Sequence, residues 1–145
     1  MANPKMIFVN LPVSNLAHAT AFYEAIGATK NAQFSDHTAS CMVISDTIHV
    51  MLLTHDKFRE FTPKKIADTK TTSEVLICLS ADSRNAVDGY VTKAMGAGGN
   101  ADPSPQQDYG FMYGRSFEDP DGHIWEVMWM DVEAAMKAQS AAATA

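Results

Sequence analysis

The chain has 145 residues, 46% of them hydrophobic and 19% charged, with a formal net charge of −6. That length suits one domain with a sizeable core, and the composition excludes a disordered or low-complexity chain. The acidic balance argues against a nucleic-acid partner, which needs a basic footprint, although five of the eleven Lys and Arg residues (Lys57, Arg59, Lys64, Lys65 and Lys70) fall in one short segment.

No window approaches the roughly 20 apolar residues of a membrane span. The apolar run after Lys5 is cut at Asn10, too early for a signal-peptide core. Cys41 and Cys78 lie in separate strand-like runs and read as buried free thiols, so the expected compartment is a reducing cytoplasm with no membrane partner.

Met6–Val13 reads as a strand, with Ile7, Val9, Leu11 and Val13 on one face and Phe8, Asn10 and Pro12 on the other. Ser14 is the expected N-cap of a helix carrying Leu16, Ala19, Phe22, Tyr23 and Ile26 up to Gly27. Strands are expected at Thr29–Phe34, Thr38–Ser45 and Thr47–Leu53. A linker over 55–72 holds two short helical turns, at Asp56 and at Thr62-Pro63.

The second half repeats the order. Glu74–Ala81 is a strand, Asp82 or Ser83 caps a helix ending at Gly96 or Gly98, and Ala101–Asp108 is a poorly formed strand. Gly110–Phe117 and His123–Met130 follow, joined by the turn Asp119-Pro-Asp-Gly122, before an Ala-rich helical tail at 132–145 that frays. The expected fold is α+β: one domain over 1–145 made of two β-α-β-β-β units, about 6–54 and 73–131.

Each helix should cover the apolar face of its sheet, leaving the opposite face for function. On the last strand that face carries Glu126 among Ile124, Met128 and Met130, where a carboxylate needs a partner, a metal or a raised pKa. Tyr113 and Arg115 share a strand face, and the Arg fork suits an anionic group or, more ordinarily, a neighbouring acid. His18, His37, His55 and His123 read as surface histidines.

The duplication, the opening Phe-Val-Asn-Leu-Pro-Val-Ser-Asn-Leu with Ala-Phe-Tyr-Glu-Ala-Ile-Gly, and the closing Asp119-Pro-Asp-Gly-His-Ile-Trp-Glu-Val127 resemble the glyoxalase/bleomycin resistance/dioxygenase (vicinal oxygen chelate) superfamily, over about 6–131. Within it the chain is most similar to the lactoylglutathione lyase-like group. The resemblance implies a curved mixed sheet around a cleft, a homodimer, and one divalent metal (Zn, Ni, Mn or Fe) held by a His or Glu on each of four strands. Carried over by position, Glu126 matches, Phe8 and Leu76 cannot coordinate, and His49 or Met51 takes the remaining place. Asn10 and Glu74, each two residues from a non-coordinating position, would complete an Asn10/His49/Glu74/Glu126 set displaced by roughly 7 Å along the strands.

Two functions follow from the resemblance. One is a metal-dependent lyase, isomerase or dioxygenase on a small oxygenated substrate, with Glu126 catalytic, His49, Glu126 and Glu74 as metal ligands, and Asn10, Glu74, Tyr113 and Arg115 contacting substrate. The other is a metal-free protein that binds and sequesters a small molecule, as bleomycin-resistance relatives do. A fold kept only for protein association is a third, weaker reading. In each case the partner is a small molecule or a second copy of the chain.

Overall fold

A computed structural model describes residues 3–144. The residues fall into two compact units, one running to Glu74 with Pro120–Gly122 added, the other comprising Val75–Asp119 and the chain from His123 onward. The linker therefore belongs to the first unit, and the closing turn is inserted into it.

In unit 1 the strands are β1 (Ile7–Val13), β2 (Thr29–Asn31), β3 (Ala39–Val43) and β4 (Ile48–Thr54), in the order β1-β4-β3-β2. The β1–β4 pair is parallel and the other two pairs are antiparallel. Helix α1 (Leu16–Ala25) buries Ala19, Phe22 and Tyr23. Its N-cap is Asn15, whose side chain accepts from the His18 N–H at 3.0 Å. Ser14, the expected cap, instead donates its backbone N–H to Asp121 at 2.9 Å. Gly27 ends the helix at φ +111, a left-handed position that a Cβ disfavours.

The core of unit 1 holds Phe22, Tyr23, Val13, Met42, Val50 and Leu52, all nearly inaccessible to water. Each such side chain contributes about 1.5–3 kcal/mol of transfer free energy. Strand β2 is shorter than expected, because Ala32–Phe34 curls into a 3-10 turn. The Asn31 side chain accepts from the Gln33 N–H there and draws the backbone out of the sheet. In the linker, α2 (His55–Arg59) is capped by Thr54. The turn expected at Thr62-Pro63 is not helical; the Thr62 hydroxyl accepts from the Lys64 N–H at 3.1 Å and forms a local bend instead.

In unit 2 the strands are β5 (Leu76–Ser80), β6 (Asn100–Ala101), β7 (Gln107–Asp108), β8 (Met112–Glu118) and β9 (Ile124–Met130). The sheet order is β5-β9-β8-β6, with β7 also pairing β8. Helix α3 (Arg84–Gly96) is capped by Ser83 and buries Val87, Val91 and Ala94, and Gly98 follows it at φ +98. Against that helix pack Phe117, Trp125 and Val127, each at most 1% exposed. The expected strand at Ala101–Asp108 is split into β6 and β7, since Pro103 and Pro105 have no N–H to give a ladder. Helix α4 (Val132–Thr144) continues to the last described residue. Among the described residues no helix is long and apolar enough to cross a membrane.

Candidate functional site

Strand alternation gives each sheet one face covered by its helix and one open face. In unit 1 the open face of β1 carries Phe8 and Asn10, opposite His49 and Met51 of β4. Phe8 and His49 are direct cross-strand partners, and their rings stack with centroids 4.7 Å apart. His49 is buried, and its Nδ1 has no hydrogen-bond partner among the described residues. Asn10 is exposed and faces Met51, one pleat repeat from that stack.

Glu74 does not lie on β5. The strand begins at Leu76, paired with Ile124, and Glu74 is an exposed residue at a bend. The cause is topological. Strand β5 pairs only β9, and upstream of Ile124 the chain turns through Asp119–Gly122, so Glu74 has no neighbour to extend the ladder. The strand periodicity that aligned Glu74 with Leu76 therefore does not apply.

In unit 2 the open face places Cys78, Glu126 and Ser116 side by side on three neighbouring strands. A cavity of about 160 Å³ opens there, with Glu126, Cys78, Ser116, Gln107, Met112 and Met128 among its lining. The segment around Ser104 forms one wall. It is clamped to β8 because the Ser104 N–H donates to the Ser116 hydroxyl at 3.0 Å. Glu126 is half-buried and has no ion pair or hydrogen bond among the described residues. Desolvation first, and then the Glu126 carboxylate, hold the Cys78 thiol above its usual pKa. A thiol shifted in this direction is a weaker nucleophile than one with a lowered pKa. It is also exposed, contrary to the buried position expected of it, whereas Cys41 is buried as expected; both are free thiols.

Tyr113 and Arg115 lie on the other face of this sheet, with Val127 and Trp129 as cross-strand partners. The Arg115 guanidinium binds Asp102 through Nε at 3.0 Å and Nη2 at 2.6 Å, and Asp88 through Nη1 at 3.0 Å. Tyr113 donates its hydroxyl to Asp88 at 2.6 Å. Arg84 lies over the Tyr113 ring, 4.5 Å from its centroid, and pairs with Asp108. The Tyr113 hydrogen bond, followed by that of Arg115, lowers the Asp88 pKa, and Arg115 does the same for Asp102. The Arg fork expected to receive a substrate anion is thus filled by the chain's own acids. Sequence reasoning left Asp88 and Asp102 unnamed; Asp88 reaches Arg115 from α3, and Asp102 from the left-handed residue that follows β6.

His123 is a further correction. It is buried rather than exposed, because its N–H and carbonyl are tied to Asp119 across the turn at 2.9 and 3.0 Å. Gln107 and Ser104 were not singled out in the sequence, since their segment read as an irregular strand with no assignable face.

The donor set does not fit a divalent metal. Of the four strand positions marked by the family resemblance, Phe8 and Leu76 offer hydrocarbon, and His49 and Glu126 offer two donors where a catalytic site uses about three. The buried His49 Nδ1, without a hydrogen-bond partner among the described residues, is a single donor and does not by itself complete such a set. Among the described residues no group of three or more His, Cys, Asp or Glu is placed to hold an ion.

Comparison with known proteins agrees with this architecture. No curated protein matches the chain. Among solved structures, a hypothetical protein from S. aureus superposes with a TM-score of 0.73 at 24% identity, over 88% of this chain and 95% of that one. A glyoxalase/bleomycin resistance protein/dioxygenase family enzyme from Burkholderia phytofirmans gives 0.70 at 16% identity, over 88% and 99%. The fosfomycin resistance protein FosX from Listeria monocytogenes gives 0.62 at 18%, over 88% and 92%. At these identities the likeness is one of fold. The family described as the Glyoxalase/Bleomycin resistance protein/Dioxygenase superfamily matches residues 5–127. Both the two β-α-β-β-β units and that match over most of the length place this chain in the glyoxalase/bleomycin resistance/dioxygenase superfamily.

Proposed function

We propose that the protein binds a small molecule without a metal, capturing a compact cationic group at Glu126. The observation that carries this is a half-buried carboxylate, without an ion pair or hydrogen bond, in a cavity of about 160 Å³. A partly desolvated carboxylate in this state gains from any cation that replaces its remaining water. The cavity is smaller than the roughly 300–1,000 Å³ of sites that engulf a drug-sized ligand. It therefore takes one ammonium or guanidinium head group, with Met112 and Met128 adapting to the apolar part beside it. Binding and sequestration need only this.

The test is a thermal-shift screen of small cations, anions and neutral analogues in the presence of a chelator. Cations alone should raise the midpoint, and Glu126→Gln should remove the effect. Equal shifts from neutral analogues would sink the assignment.

A metal-dependent lyase, isomerase or dioxygenase is the second reading, favoured by the buried, partnerless Nδ1 of His49. A methylglyoxal–glutathione lyase is disfavoured within it, since two of its four expected donors are Phe8 and Leu76. Elemental analysis of the untagged protein, before and after loading with zinc, nickel, manganese or iron, decides between the readings. Near one equivalent per chain supports the second. A homodimer is part of either proposal. Each unit leaves its first strand at a sheet edge with exposed apolar residues, Ile7 and Phe8 on β1 and Leu76 on β5. Light scattering on the eluting protein should give twice the chain mass of 15.8 kDa.

A further inference from the structure

Unit 1 carries a second, larger concavity, of about 750 Å³, walled by the basic linker and bordered by Asp121 of the closing turn. Its cations are Arg59, Lys64, Lys65 and Lys70, and its carboxylates are Asp68 and Asp121. Four positive groups against these two acids and the Asp56 that pairs with Arg59 leave a local excess of +1, in a chain whose net charge is −6. Such a sign reversal within one cavity concentrates anions there.

The charges are also available. Lys64, Lys65 and Lys70 have no ion pair or side-chain hydrogen bond among the described residues, whereas Arg59 is held by Asp56 at 2.9 Å. The two acids are turned to backbone donors. Asp68 Oδ1 accepts from the Lys70 N–H at 3.1 Å, and Asp121 Oδ1 accepts from the Ser14 N–H at 2.9 Å.

The loop bearing these lysines is fastened rather than loose. Thr69 donates its hydroxyl to the Asp121 carbonyl at 2.6 Å, and the Thr71 and Thr72 N–H groups donate to the Asp68 carbonyl at 3.1 and 2.8 Å. At Gly122, φ is +92, and a Cβ there would lie 2.5 Å from the Thr69 carbonyl oxygen. The turn and the lysine loop thus touch backbone to backbone, which only glycine permits.

We propose that this concavity is a binding site for a phosphate-bearing small molecule. Lysine ammoniums act as point charges that suit a tetrahedral phosphate, whereas planar carboxylate recognition favours an unengaged Arg fork, and the one Arg here is already paired. Pro12, Pro63 and Ile66 supply an apolar surface for the organic part. The volume lies within the range of small-ligand sites, roughly 300–1,000 Å³.

Calorimetric titration with adenosine diphosphate and with inorganic pyrophosphate, in metal-free buffer at low and high salt, tests the site. Saturable binding that weakens as salt rises is expected, because exposed charges are screened. The triple substitution Lys64→Gln/Lys65→Gln/Lys70→Gln should weaken it by about tenfold or more. Lys30→Gln/Lys93→Gln/Lys137→Gln makes the same change in net charge elsewhere and should leave it intact. Glu126→Gln should also leave it intact, which separates this site from the one proposed in unit 2. No saturable binding of either probe, or equal loss in the two triple variants, would overturn the proposal. Tighter binding of adenosine diphosphate than of pyrophosphate would show that the apolar surface contributes.

Discussion

Each unit sets one polar side chain from its last strand on the open face of its sheet, yet the two residues meet opposite surroundings. In unit 1, His49 stacks on the Phe8 ring beside Met51 and Leu53, and its Nδ1 is buried with no hydrogen-bond partner among the described residues. In unit 2, Glu126 is flanked by Cys78 and Ser116 and opens into a cavity. The two units share their strand order and a helix-covered core but not the chemistry of the open faces. One face has closed over its donor, and the other has kept its donor accessible.

The same contrast appears in what holds each unit together, and substitutions should separate the two. The largest effect is expected at Gly122, where the closing turn joins unit 1. Gly122→Ala should cost about 3 kcal/mol, since the backbone must move to admit a methyl group at a left-handed position. Chemical denaturation measures it, and a loss under ~1 kcal/mol would mean that the turn relaxes freely.

Arg115→Met comes next, with a loss of about 2 kcal/mol. That lies below the ~3–5 kcal/mol of a fully buried pair, because Asp102 and Asp88 are 27% and 48% exposed. If Arg115 served a ligand instead, its removal would change binding and leave stability nearly untouched.

The pH dependence follows from the same cluster. Hydrogen bonds from Tyr113 and Arg115 lower the folded pKa of Asp88, and those from Arg115 lower that of Asp102. Depressed carboxylates contribute stability that is fully present above their unfolded pKa of about 4 and is lost as pH falls through the lower folded values. Stability of the parent protein should therefore fall on acidification below about pH 4, and Arg115→Met should flatten that limb. Matching acid limbs in the two proteins would remove this cluster as a cause.

His49→Leu should have the smallest effect, within about 1 kcal/mol and toward greater stability. Removing a buried unsatisfied nitrogen offsets the lost stacking on Phe8. A large loss would mean that Nδ1 has a partner in solution, and a metal would then be the first suspect.

The repeated fold was legible because period-two strands, helical faces and the terminators Gly27 and Gly98 all agree along the chain. Misplaced ends arose where local side chains or neighbouring strands decide the matter. Asn31 curls the chain after β2, two prolines divide β6 from β7, and β5 starts only where β9 is available to pair. The place of Glu126 on an open sheet face was legible because a carboxylate among Trp, Val and Met stands out in any alternating strand. The filling of the Arg115 fork was not, since Asp88 and Asp102 reach it from a helix and from a left-handed residue at φ +53. Nor was the placement of Glu74, which depends on a turn almost fifty residues further along the chain.

The most direct measurement is a paired calorimetric titration of the parent protein and Glu126→Gln with methylguanidine, both in excess chelator. The account predicts saturable one-to-one binding by the parent, weakened about 30-fold or more in the variant, in line with a charged hydrogen bond worth ~2 kcal/mol. Equal affinity in the two proteins, or binding that appears only when a divalent metal is restored, would contradict it.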